Sequence, residues 1–231
     1  MTFSLISLIA LSGFLWPFFF SGDWYGYLLG PLAVVLIAFE FHRRRFDARV
    51  IALLAVLSAT MAALRPLGAG LAGIEPMWFI LIIGGAIFGS SFGFLLGICG
   101  IVASAFITSG VGPWLAYQAL AAGWIGALAG LIGYRFRILS AILGAMLFGL
   151  LMDLQFWPLA LGSQTQLSYS PEIGLGENVH RFLVYHFTTS MAWDIPRAIL
   201  TATLVATLGK PLSVALQRAK KQMRFSELEK A

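Results

Sequence analysis

Residues 77–108 read MWFILIIGGAIFGSSFGFLLGICGIVASAFIT, an uncharged run of 32 residues. As one helix rising about 1.5 Å per residue it would reach about 48 Å, well beyond a hydrocarbon core of about 30 Å, so it has to break. The break falls at Gly89-Ser90-Ser91-Phe92-Gly93, because glycine adopts turn geometries that other residues resist. Two short helices joined by a turn at 89–93 are expected.

Working outward, further apolar runs lie at 3–20, 25–41, 50–64, 115–134, 138–161 and 182–209. With the broken run this predicts an all-α integral membrane protein of eight spans. Of the 231 residues 59% are hydrophobic and 11% charged, against about 25% charged in soluble domains, which leaves too little polar surface for a globule in water. The stretch from Thr2 to Phe20 lacks a basic n-region and a small-residue cleavage site, so it reads as retained. Eight spans with a cytoplasmic N-terminus put 42–49, 89–93, 135–137 and 210–231 inside, and these hold 12 of the 15 Lys and Arg, as the positive-inside rule requires. An unbroken fourth run would put Arg135 and Arg137 opposite Arg43 to Arg49. The external segments are then 21–24, 65–76, 109–114 and 162–180, the last read as a long loop. The basic clusters between spans give the net charge of +5 an orienting role, which argues against a nucleic-acid partner. The single cysteine, Cys99, cannot form an internal disulfide and reads as packing.

Depth along the helices singles out candidate site residues. Arg65 is 16 residues beyond Arg49, Gln118 is 17 before Arg135, Asp153 is 16 after Arg137, and Asp194 is 16 before Lys210. Each therefore lies about 24 Å from the cytoplasmic face. Four helices bring polar groups to one level near the outer surface, where Trp78, Trp114, Trp157 and Trp193 also fall, together with Tyr117. Ionisable groups in a bilayer are costly and tend to be functional, and aromatic walls with a few polar groups are typical of a small-molecule pocket. An interfacial aromatic belt with structural ion pairs is the plainer reading. Asp194 and Arg197, three apart, can satisfy each other, whereas Asp153 has no basic residue near it in sequence. His180 and His186 read as interfacial, with no ligand spacing for a metal. Pro196 is expected to bend the last span beside the site.

Ala55, Ala59 and Ala63 line up at four-residue spacing on one helix face that admits close approach of another helix, within the bundle or from a partner. Gly85, Gly89, Gly93 and Gly97, with Gly126 and Gly130, repeat the spacing and read as packing or turns. The only Gly-Lys pair, Gly209-Lys210, is followed by Pro211, so the chain has no ATP phosphate loop. Zinc-helix and nucleophile-elbow motifs are missing, as are an obvious inverted repeat and a carboxylate relay. No cofactor is called for, and transport by this chain would need energy from elsewhere.

Residues 50–210 resemble the S component, the substrate-binding subunit, of energy-coupling factor (ECF) importers of the actinobacterial vitamin type. The matching stretches are Ala55-xxx-Ala59-xxx-Ala63, Gly112-Pro113-Trp114-xxx-Gln118, Asp153-x-Gln155-Phe156-Trp157-Pro158 and Trp193-Asp194-xx-Arg197. The resemblance implies a six-helix bundle binding a vitamin or related micronutrient from outside, with Arg65, Trp78, Trp114, Gln118, Asp153, Trp157, Trp193 and Asp194 as pocket candidates. It also implies docking of Ala55, Ala59 and Ala63 on a membrane coupling protein driven by two ATPase subunits, with the S component toppling in the membrane to deliver its cargo. The expected organisation is an N-terminal helical hairpin over 1–49, a six-helix core over 50–210 and a basic cytoplasmic tail over 211–231, in the plasma membrane with both termini cytoplasmic. The additional N-terminal pair of spans departs from the minimal family fold. The segment 162–180 and the tryptophans single out cobalamin among the cargoes of relatives. The competing readings are an integral membrane enzyme acting on a lipid or isoprenoid and a membrane scaffold.

Overall fold

The computed structural model describes residues 2–19, 28, 30–35, 38, 47–68, 71–108, 110–160 and 165–228, and all regular structure among them is helical. Helices α1 (Thr2–Phe14) and α2 (Trp16–Phe19) open the chain. Helix α3 (Ala48–Leu64) follows, then a 3-10 turn at Arg65–Gly68, α4 (Met77–Phe88), α5 (Ser90–Ile107) and α6 (Leu115–Ile132). A second 3-10 turn (Tyr134–Phe136) leads to α7 (Arg137–Ala160). The chain ends with α8 (Leu175–Tyr185), a π-helical turn (His186–Ser190), α9 (Met191–Thr207) and α10 (Gly209–Leu228).

Among the described residues four segments are long and apolar enough to cross a membrane: Ala48–Gly68, Ser90–Thr108, Leu115–Ile132 and Tyr134–Leu159. A fifth arises if the bent pair Leu175–Thr207 and Gly209–Met223 is taken as one span. The first expected span, 3–20, is interrupted between α1 and α2, neither of which reaches spanning length. The second, 25–41, falls mostly outside the described residues.

The long apolar run does break, and at a single residue. Gly89 takes φ 98°, a left-handed value that side chains resist, and the helix resumes at Ser90 instead of after Gly93. Helix α4, with 12 residues, is then only about 18 Å long. It is held against the bundle by glycine. A β-carbon on Gly85 or Gly93 would meet the carbonyl of Gly126, and one on Gly97 that of Ala122, so α4, α5 and α6 approach backbone to backbone.

At the opposite end of the chain three expectations are corrected. The loop expected over 162–180 is shorter, because α8 begins at Leu175 and runs through the π turn into α9 without a break. Both Pro196 in α9 and Pro158 in α7 sit inside continuous helices; the 64° bend follows Thr207. Helices α7 and α9 pack on each other, and packed neighbours can re-satisfy what proline frees. Residues 211–228, expected as a tail, belong to α10, which buries Ser213 and Leu216 and packs on α4. Lys220 donates its ammonium to the carbonyl of Ile87, one of the orphan acceptors at the C-terminus of α4.

Helix α1 packs on α7 and reaches α6 through side chains, with Ser7 accepting from Trp124 at 3.3 Å and the Phe14 ring edge-on to Tyr117 at 4.8 Å. Asp47 caps α3 by accepting from the Arg49 amide at 2.8 Å. These contacts fix a bundle whose α3, α5 and α7 end, and whose α6 begins, around one space.

Candidate functional site

That space is a cavity of about 620 Å³ lined by residues from the ends of α3, α5 and α6, from the C-terminal half of α7, from the π turn and α9, and from the loop before α4. On α7 the lining residues Phe148, Gly149, Met152, Asp153, Gln155 and Phe156 follow the helical repeat of one face. Ser190 at the end of the π turn and Trp193, Asp194 and Arg197 on α9 do the same. Loop 71–75 closes over α9: Gly73 has φ 68°, and a β-carbon there would strike the Trp193 carbonyl.

Three polar groupings face the cavity. In the first, the Arg65 guanidinium donates to Ser104 Oγ at 2.7 Å and to Gln118 Oε1 at 3.0 Å, two neutral partners that hold the cation without cancelling it. In the second, Asp153 Oδ2 meets His186 Nδ1 at 2.7 Å and accepts from the Ser190 hydroxyl. The π turn supplies both donors from one face, and Thr188 and Thr189 donate to the carbonyls of Val184 and Tyr185 as the turn widens. In the third, Arg197 donates to Asp194 Oδ1 at 2.6 Å and to Glu75 Oε2 at 2.9 Å, and its guanidinium lies 5.0 Å from the Phe148 ring centre. Gly149 makes room for this arrangement, since a β-carbon there would collide with the Asp194 carboxylate.

Of the residues selected by depth, Arg65, Trp114, Gln118, Asp153, Trp193 and Asp194 line the cavity. Trp78 and Trp157 do not. Trp78 is buried behind the wall, donating to Glu75 Oε2 at 2.9 Å and packing on Phe148 at 4.5 Å between ring centres. Trp157 is buried beside it, donating to the Leu167 carbonyl at 2.8 Å within a cluster of Phe18, Tyr169 and Phe182. Both act as supports. Asp153, with no basic residue near it in sequence, finds one in space: His186, expected at the interface, is instead buried against it.

Glu75 is the residue the depth argument overlooks. It carries no helical spacing, yet it is the sole acidic residue between Asp47 and Asp153, a signal present in the sequence. His186 and Ser190 gave no local signal, since their partner is more than thirty positions away. Among the described residues no group of three or more His, Cys, Asp or Glu is placed to hold a metal ion. What the cavity can do is hold a polar molecule by directed hydrogen bonds between aromatic walls.

Among the described residues, fold and cavity together define a helical bundle with segments long and apolar enough to cross a membrane and, at one end, a largely apolar cavity that carries three polar groupings. Comparison of the chain with protein-family models, curated proteins and solved structures finds no match.

Proposed function

We propose that this chain is the substrate-binding membrane subunit of an ECF-type importer, taking up a vitamin-like small molecule from outside and passing it on through a coupling protein driven by ATPases. The observation that carries the reading is the cavity, because elements distant in sequence turn charged and aromatic side chains toward one volume of about 620 Å³. That volume is within the usual range for small-ligand pockets, about 300–1,000 Å³, and favours a cargo smaller than cobalamin. Ala55, Ala59 and Ala63 are all exposed, so this small-residue face is open to a partner helix such as that of the coupling protein. Exposed Arg135, Lys210, Arg218 and Lys221 lie toward the end away from the cavity, which supports a plasma-membrane orientation with that end and both termini in the cytoplasm.

A lipid- or isoprenoid-processing enzyme would be favoured by a nucleophile set against a base. Here Ser190 and His186 both meet Asp153 instead of each other. The test is purification of the tagged chain from its native membrane with identification of what accompanies it. A membrane protein and ATPases with phosphate loops are expected, and uptake by vesicles should stop without ATP. Purification with none of these, together with turnover of added lipid, would overturn the proposal.

A further inference from the structure

Two buried oxygens beside the cavity have no partner. Asp194 is 1% exposed and Gln155 6% exposed, both line the cavity, and neither Asp194 Oδ2 nor Gln155 Oε1 receives a hydrogen bond. Buried acceptors are nearly always met by a donor, since desolvation without replacement is unfavourable. Both atoms are acceptors, so what completes them must bring N–H or O–H groups. A third acceptor is available in Asp153, whose Oδ2 takes both His186 and Ser190 and leaves Oδ1 without a hydrogen bond among the described contacts.

Charge points the same way. The lining holds three carboxylates, Glu75, Asp153 and Asp194, against two guanidinium groups, Arg65 and Arg197. Arg197 is shared between Glu75 and Asp194, which leaves Asp153 with only His186 and Ser190. An excess of carboxylate around a cavity favours an incoming cation.

We propose that the cavity takes a ligand with a cationic nitrogen group, a protonated amine or amidine, whose N–H groups meet Asp194 Oδ2 and Gln155 Oε1. Its planar body lies beside Trp114, Trp193 and Phe156, which the cavity exposes. The inference rests on reading the cavity as a small-molecule site. Arg65, held by neutral partners, is positioned for an acceptor elsewhere on the same ligand.

Benzamidinium, benzamide and benzoate share a planar shape and differ in charge, so titration calorimetry of each into the full chain in nanodiscs separates charge from shape. Benzamidinium is expected to bind about tenfold or more tightly than benzoate, with benzamide between them. Asp194→Asn keeps the shape and removes the charge, and should erase most of that preference. Because it also releases Arg197, Gln155→Leu provides a second variant that leaves every ion pair in place; it should weaken benzamidinium severalfold at an unchanged melting temperature. Tighter binding of benzoate overturns the cationic assignment but keeps the cavity as a site, now for an anion at Arg65. Benzamidinium affinity unchanged in both variants also overturns it, since water then satisfies the two oxygens. If none of the three binds at millimolar concentration, the reading of the cavity as a small-molecule site falls, and the inference with it.

Discussion

Asp153 collects two donors on one oxygen, so its substitution should register in stability as well as in binding. Asp153→Asn keeps the shape but weakens the contacts to His186 and Ser190, each a hydrogen bond to a charged group and worth roughly 1.5–3 kcal/mol. A lowered melting temperature in detergent, with reduced ligand retention, is the expected outcome; an unchanged melt would show that neither contact supports the fold. Gly149→Ala addresses the other carboxylate. The added methyl would displace Asp194 from Arg197, and overpacking of this kind costs about 1–3 kcal/mol, read in the same melt. An unperturbed melt would mean that the Asp194 carboxylate does not rest on Gly149. At this scale the sequence revealed depth but not direction. Counting from the basic clusters measures height along a helix, which is why Arg65, Gln118, Asp153 and Asp194 converge. It is blind to which way a side chain turns at that height, and so Trp78 and Trp157 were grouped with the lining while Glu75 and His186 were passed over.

Among the elements, the α4–α5 break is the most sharply testable. Nothing lies within 4 Å of a β-carbon placed on Gly89, so Gly89→Ala brings no clash, only the cost of a positive-φ, extended-ψ backbone that is essentially confined to glycine, about 1–3 kcal/mol. A destabilisation of that size by thermal melting is expected, and none would mean that the chain does not turn there. Ala59→Trp tests the exposed face of α3. Since the stripe points away from the bundle, the isolated chain should fold and retain its ligand while losing stable assembly with the coupling protein. Undiminished co-purification would remove the docking assignment. The break was legible because length against membrane thickness forces it, and the glycine spacing foretold the α4–α5–α6 seam. Helix α10 was not, because a basic, amphipathic stretch after the last apolar run lacks the uniform apolarity by which spans are recognised. The start of α8 was hidden for a related reason: Gly174 and Gly176 read as loop, yet Leu175 already belongs to the helix.

For the whole molecule, the apolar composition and the helices long and apolar enough to cross a membrane are properties of the chain as a solute, while the cavity is a property of how those helices meet. The two together make a small-molecule site opening at one end of a bilayer-embedded bundle the central claim. Its most direct test is to purify the full chain from its native membrane, denature it and identify the released small molecules by mass spectrometry. A variant with the space filled, Met152→Trp, serves as the comparison. The account predicts a single small molecule released in near-stoichiometric amount from the wild type and lost from a variant that still melts cooperatively. Equal release from both proteins, or release of bulk lipid alone, would contradict it.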